Sequence, residues 1–408
     1  MHALFVRSLV VVSLLIAAPR ASAVTVTFQK LTGALGANDM SPDGRFIVGV
    51  GTFDDQSGPY IWDTVLDTVT VLPAPGTDAV AVSDDGTVVL GNMPDPDDDD
   101  GANVAAIWTA ATGWQSLGYL PNASACPSRS TGYELSADGS VAVGLSWDGC
   151  SARGFRWTEA TGMTELANLA NGNNRASVIS SDGSVIAGFA QGSFERTPAV
   201  WGAGGSGQLV GLVTDQGEVH GISDDGSVLL GTLYMGSGSG SLAAVKWSNP
   251  GVSGWTVEVI GAGSIISGWT GNAMDVADDG TVIGFDFLLG NRRAWIQPDG
   301  TGPLVDLRSW VLANGGLVPS GFVLEVPQAV SSDGKYIIGH GFLGAWRITI
   351  TPDALSCADW AEVESSGCMT GPAGGPVPSG CTLFDADLDG DGDLRDFAAL
   401  QRSCPEVP

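Results

Sequence analysis

From Thr25 to Trp346 the chain alternates short apolar runs with polar breaks, and the breaks carry one recurring pair, Asp-Gly. The pair's aspartates are Asp43, Asp85, Asp138, Asp182, Asp225, Asp279 and Asp333, separated by 42, 53, 44, 43, 54 and 54 residues. Each pair follows a segment ending in an aliphatic residue and Ser or Ala, as in AVAVS (Ala79 to Ser83) and SVIS (Ser177 to Ser180). Each precedes a run such as TVVLG (Thr87 to Gly91) or KYIIG (Lys335 to Gly339). Apolar run, Asp-Gly, apolar run predicts a β-hairpin, because Gly accepts the positive φ of a tight turn.

A third run ends each copy at a tryptophan: Trp62, Trp108, Trp157, Trp201, Trp247, Trp295 and Trp346. In most copies a fourth follows, for example GWQSLGYL (Gly113 to Leu120) and GMTELANL (Gly162 to Leu169). Four strands in each of seven copies predict an all-β, seven-bladed β-propeller over residues 24–352. The last copy lacks a fourth strand after Trp346, whereas the segment TVTFQKL (Thr25 to Leu31) has no copy of its own. The N-terminal strand is therefore expected to complete blade seven and remove the exposed sheet edges of an open ring. Because three periods are stretched by about ten residues, an open β-solenoid is the alternative. The repeated Asp and Ser are expected to hold the turns, and the tryptophans to fill the space between blades.

The recurrent aliphatic-Ser-x-Asp-Gly-x4-Gly phrase, its Ala/Phe-x-Trp strand, and DLRSWVLANGG (Asp306 to Gly316) followed by GFVLEVPQAVSSDGKYIIGHG resemble the HAF-repeat family of bacterial extracellular proteins. The resemblance covers most of Val24 to Pro352. The His-Ala-Phe tripeptide itself is replaced by variants such as Gly154-Phe155-Arg156-Trp157 and Ala199-Val200-Trp201, and the sixth copy (TVIG, Thr281 to Gly284) is one residue short. It implies secretion and a repeat architecture, and brings no catalytic residues with it.

The first residues agree with export. Arg7 precedes an apolar run from Leu9 to Ala18, and Ala21-Ser22-Ala23 is an A-x-A cleavage site, so residues 1–23 read as a signal peptide and the protein as secreted or attached to the cell envelope. The run is about half the roughly 20 residues that a spanning helix needs, and no later segment is long and apolar enough to serve as a membrane span. The formal net charge of −28 repels nucleic acid and anionic membranes and favours solubility. In an exported chain the six cysteines read as disulfides. Cys126 and Cys150 stand apart and are paired here, while Cys357, Cys368, Cys381 and Cys404 allow three pairings. The acidic run Asp95 to Asp100 reads as a solvated loop or a second calcium site.

From Thr351 the composition shifts to Pro, Gly, Ser and Cys, marking a separate tail over residues 353–408. Within it, FDADLDGDGDLRDFAALQRSC (Phe384 to Cys404) alternates aspartates around glycines and leads into a helical pattern. Calcium takes several hard oxygen ligands from alternate positions of a tight loop. Asp385, Asp387 and Asp389 would fill the first three ligand positions, Asp391 would contribute its carbonyl, and Asp393 and Asp396 would complete an EF-hand-like Ca2+ site. A second register, beginning at Asp387, would put Ala398 at the last position, where it cannot ligate. Asp359-Trp360-Ala361-Glu362-Val363 parallels Asp396-Phe397-Ala398-Ala399-Leu400. Two such halves resemble a dockerin, which implies a cohesin-like or cell-envelope partner; a purely structural calcium-stapled tail is the competing reading.

Beyond the signal only His220 and His340 remain, and no Gly-x-Ser-x-Gly elbow, Walker loop or zinc-type His/Cys spacing occurs. The catalytic candidates are carboxylates. Asp39, Glu134 and Asp275 stand two residues before the Ser or Ala in copies one, three and six, where the other copies carry Ala81, Val178, Gly221 and Ala329. If that position faces a central channel, the three acids converge as general acid/base groups or cation ligands. The expectation is a non-enzymatic binding or scaffold protein with a glycan or protein ligand on the propeller. A propeller enzyme acting on polysaccharide through the channel carboxylates is the alternative.

Overall fold

The computed structural model describes residues 24–97, 102–121, 128–147, 150–192, 195–210, 216–234, 242–249 and 254–352. It contains seven four-stranded sheets, six built from consecutive strands. The seventh consists of Val326–Val330, Tyr336–Gly341, Gly344–Pro352 and the N-terminal strand Val24–Lys30. The propeller and its closure by the N-terminal strand are as the hydrophobic pattern predicts. Each first strand (Ala34–Met40, Asp78–Val82, Arg129–Leu135, Asn174–Ile179, Gly217–Ile222, Thr270–Val276 and Val326–Val330) packs against the first strands of both neighbours, and blade seven meets blade one, so the ring is closed rather than an open solenoid. The stretched periods are absorbed outside the ladders. In blade six a two-residue fourth strand, Val305–Asp306, passes into a helix, Leu307–Ala313, whose first turn is capped by the Asp306 carboxylate accepting from Ser309 N at 2.8 Å.

The repeated residues do local work at each turn. In blade one Asp43 Oδ1 accepts from Arg45 N at 2.9 Å and from Ser41 Oγ at 2.7 Å, while Ser41 Oγ accepts from Phe46 N at 2.9 Å. Blade four repeats the pattern with Asp182, Ser184, Ser180 and Val185. The following glycine takes a φ of 73° in blade one and 70° in blade four, in the left-handed region that a side chain resists. Blade six, one residue short, has Ala277 in place of the serine, and Asp279 instead accepts from both the backbone and the hydroxyl of Thr281.

Apolar clusters sit between blades. Trp201 of blade four packs with Val141, Val143 and Leu166 of blade three, and Trp247 of blade five with Val178, Ala187 and Val200 of blade four. Trp295 reaches back to Leu230 and Ala244, and Trp62 closes the ring against Ile338 and Ala345 of blade seven. Trp108 and Trp157 are only half-buried, yet they too pack against the clusters between blades one and two and between blades two and three. Cys150 is disulfide-bonded; Cys126, its expected partner, lies outside the described residues, as does the tail 353–408 with its calcium-loop aspartates and four cysteines. Among the described residues no helix is long and apolar enough to cross a membrane.

The two repeated residue types should differ in weight. Trp247→Ala leaves a void between two blades and is expected to cost about 3–5 kcal/mol. Asp182→Ala removes two turn hydrogen bonds and is expected to cost about 1–2 kcal/mol. Denaturant titration of both variants checks the order; equal losses would contradict it.

Candidate functional site: the central channel

The first strands converge on the axis and enclose a cavity of about 250 Å³ to which all seven blades contribute. One irregularity recurs in every blade. The pairing of first and second strands slips at Asn38, Val80, Tyr133, Ser177, His220, Met274 and Gln328. A β-bulge of this kind leaves one residue without an opposite number and re-aims the strand. Strict alternation would send consecutive side chains to opposite faces, yet here the bulge residue and its successor both line the cavity in every blade except the second, where Val80 does and Ala81 does not.

The successor position holds Asp39, Glu134 and Asp275, so the structure brings the three sequence-predicted acids together in one cavity; Val178, Gly221 and Ala329 line it from three of the remaining blades, while Ala81 is buried in the apolar cluster between blades two and three. Their carboxylates are tied to backbone. Asp39 Oδ2 accepts from Val82 N of blade two at 2.9 Å, and Asp275 Oδ2 accepts from Val330 N of blade seven at 2.8 Å. Asp275 Oδ1 accepts from Val276 N at 2.9 Å and Glu134 Oε1 from Leu135 N at 3.0 Å. Two of the acids therefore link adjacent blades.

Burial dominates their titration. It pushes Asp39 up to about 7 against the opposing pull of its backbone donors, with a smaller upward push from Asp84. It pushes Asp275 up to about 8, assisted by the charges of Asp39 and Asp224. Glu134 lies well above the usual carboxylate range, through burial first and then the charges of Asp39 and Asp275. Carboxylates sharing one low-dielectric space cannot all ionise cheaply.

Sequence reasoning missed the bulge residues, because a bulge leaves no compositional signal and Asn, Tyr, Ser, His and Gln at these positions look unrelated. His220 is one of them: burial lowers its pKa against the opposing pull of the Glu218 charge, and its Nδ1 lies 3.6 Å from Glu218 Oε1. Glu218 also receives Arg175 and Arg196 of blade four, and the charges of His220, Arg175 and Arg196 together outweigh the cost of burying its carboxylate and hold it below its usual value. Arg175 in turn lies 5.0 Å from the Tyr133 ring of blade three, so one guanidinium links three blades.

The mouth on the Asp-Gly side is also blade-to-blade work. Asp84 N donates to Ala137 O, Ala137 N to Ser181 O and Ser181 N to Asp224 O, while Asp278 N donates to Ser332 O and Ser332 N to Pro42 O. Pro42 has no N–H to continue the girdle toward blade two. The Asp224 carboxylate accepts from Ser181 Oγ at 3.0 Å and from Ser332 Oγ at 2.6 Å, bridging blades four and seven across this mouth. Burial raises Asp84 and Asp278, and the charge of Asp224 adds to both. Among the described residues no group of three or more His, Cys, Asp and Glu is placed to hold a metal ion.

No protein-family model matches the chain. No curated protein matches it either. Among solved structures, an oligogalacturonate lyase from Vibrio parahaemolyticus shares 12% identity at a TM-score of 0.52, covering 81% of this chain and 98% of that one. An oligogalacturonate lyase in complex with manganese shares 14% identity at a TM-score of 0.52, covering 82% and 99%. TolB from Acinetobacter baumannii matches at 16% identity and a TM-score of 0.37 over 53% of this chain, which spans about half (51%) of the TolB chain. The two lyase structures share the propeller fold with this chain; at such identity nothing of their sites transfers.

The raised carboxyls set a pH dependence. A folded-state pKa above the unfolded value favours the protonated folded form, so the stability it contributes is full below about pH 4 and is lost as pH rises through about 7 and 8, the values for Asp39 and Asp275. Glu134→Gln keeps the acceptor for Leu135 N and removes one of the three charges. Its melting temperature is expected to match the parent near pH 4 and to exceed it at pH 8. Calorimetric melting across that range reads the difference, and parallel curves would contradict the assignment.

Proposed function

We propose that this is a secreted, non-catalytic binding propeller that takes an uncharged, polyhydroxylated ligand, such as the end of a glycan, in its central channel. The observation that carries the reading is the bulge present in all seven blades, which turns Asn38, Tyr133, Ser177, His220 and Gln328 into one cavity. Amide, hydroxyl and imidazole groups converging from several directions suit a ligand with many hydroxyls. The carboxylates support a structural role for themselves, since Asp39 and Asp275 spend oxygens on the backbone of the next blade. Their number argues against a polyanionic ligand such as oligogalacturonate, the substrate for which the similar structures are named. At the mouth the Asp84 and Asp224 carboxylates would oppose it, and a polyanion would also hinder ionisation of Asp39, Glu134 and Asp275 inside.

Export is supported by the Ala21-Ser22-Ala23 cleavage site, and the segment 353–408 is proposed as a Ca2+-binding attachment module acting through Asp385, Asp387, Asp389, Asp391, Asp393 and Asp396. Its partner would be a cohesin-like or cell-envelope protein. A second reading, an enzyme acting on polysaccharide, draws on Asp39 and Asp275 titrating near 7 and 8, in the range where a general acid or base works at neutral pH.

Two measurements test the proposal. Calorimetric titration with neutral oligosaccharides and with oligogalacturonate, followed by chromatography of the mixture, is expected to give binding of a neutral glycan without product. Gln328→Ala and Asn38→Ala should weaken that binding about tenfold each, as for one lost hydrogen-bonding group. Product formation abolished by Asp275→Asn would replace the binding reading with the enzymatic one. For the tail, the full chain should take up calcium in a titration and lose that uptake on Asp385→Ala; a chain that ignores calcium would remove the attachment module.

A further inference from the structure

The three channel acids are not equivalent. Asp275 accepts from Val276 N at Oδ1 and from Val330 N at Oδ2, and Asp39 accepts from Val82 N and from the N–H of Met40, so each aspartate is held by its own strand and by the neighbouring blade. Glu134 is one methylene longer and accepts only from Leu135 N, at Oε1. Its Oε2 has no hydrogen-bond partner among the described residues and is not sealed off by neighbouring atoms, so it opens onto the cavity that Glu134 lines. A carboxyl oxygen left without a partner deep in a channel costs free energy, and a ligand group is the partner for which the cavity has room.

The cavity supplies no countercharge to an ionised Glu134. Among the described residues no Lys or Arg lines it, whereas Asp39, Asp275, Asp84 and Asp224 do. Glu134 stands on Arg129–Leu135, with Arg129 at the far end of the strand and the Tyr133 ring beside it under the Arg175 guanidinium. Of the strands packed against this one, Val141–Trp147 of the same blade and Val88–Pro94 and Asn103–Thr109 of blade two hold no titratable side chain. Asp78 on blade two's first strand accepts from Asn92, and Arg175 on blade four's is spent on Glu218, toward which His220 Nδ1 also points. Burial, and then the charges of Asp39 and Asp275, favour the protonated form of Glu134.

We infer, on the basis of the binding function proposed for this channel, that Glu134 is its ligand-contacting acid: in the carboxylic form its Oε2–H donates a hydrogen bond to an acceptor oxygen of the uncharged ligand. Asn38 and Gln328 can each present an amide oxygen or an amide N–H, so they adapt to the hydroxyl they meet. A carboxylic acid held neutral instead offers one donor at a fixed place, which selects a ligand with a ring, glycosidic or carbonyl oxygen there. On ionisation the same atom becomes an acceptor, and its contact with that oxygen turns from attraction to repulsion.

Infrared spectroscopy and calorimetry of the full chain test the inference. At neutral pH the carboxylic C=O band of the parent should lose a component in Glu134→Gln, and that component should shift when a bound oligosaccharide is added. Titration with neutral malto-, cello- and xylo-oligosaccharides is the second arm. Glu134→Gln keeps a donor facing the channel while its amide oxygen still accepts from Leu135 N, and should bind within about twofold of the parent. Glu134→Met, near in size but without a donor, should bind about tenfold more weakly at an unchanged melting temperature. Because the acid form binds, the parent's affinity should fall as pH rises through the ionisation of the channel carboxyls, and should fall less in Glu134→Gln. A band unchanged by Glu134→Gln means an ionised Glu134 and overturns the inference while leaving the binding function intact, as does a Glu134→Met variant that binds like the parent. A parent that prefers an amine-bearing glucosamine oligosaccharide, and loses the preference in Glu134→Gln, would make Glu134 the seat of an ammonium group instead. Failure of the parent to bind any oligosaccharide overturns the binding function and this inference with it.

Discussion

A four-stranded sheet that is apolar on both faces must be covered on both, and this constraint organises the molecule. One blade buries one face on the blade before it and the other on the blade after, with Trp201, Trp247, Trp295 and Trp62 each reaching back into its predecessor. The requirement is satisfied for every blade only when the row closes, and the last blade closes because Val24–Lys30 supplies its outer strand. Closure brings the seven first strands to a common axis, and every feature of the channel descends from that.

At the axis the interests of strand and channel conflict. A regular strand would give the channel every second side chain, and the bulge supplies an adjacent pair from every blade but the second instead. The acids at three of these positions are buried in a space too small for three full charges, and their raised pKa values record the cost. They are tolerated because backbone N–H groups at the bulges point at them, Val82 and Val330 from the neighbouring blade and Leu135 and Val276 from their own strand. A buried carboxylate that accepts such donors is partly compensated and, in the case of Asp39 and Asp275, also ties two blades together.

Departures from the repeat gather in blade six. Its turn is a residue shorter, its serine is Ala277, its fourth strand is two residues long and leads to a helix, and its second hairpin forces Leu289 into the left-handed region. Its second strand also buries Asp286, which burial pushes up to about 6 and whose Oδ2 accepts from Ile266 N at 2.8 Å, pinning the connection from blade five. Where copies of one motif share a structural duty, such departures mark the places where another demand has been met. The exposed Leu289 is the clearest of them.

The periodic Asp-Gly pairs, the tryptophan-ended strands and the unmatched N-terminal strand were sufficient, as sequence, to determine the seven blades and their closure. These signals are local: a tight turn needs its glycine and a strand its alternation, whatever lies further along the chain. Asp39, Glu134 and Asp275 were also legible as equivalent positions, since equivalence follows from aligning the copies. That they share one cavity, and that Asn38, Tyr133, Ser177, His220 and Gln328 join them, depended on a register slip between strands. A slip is a relation between two strands and is written in neither. The bridge from Asp224 to Ser332, 108 residues apart, likewise acquired meaning only when ring closure set their blades around one axis.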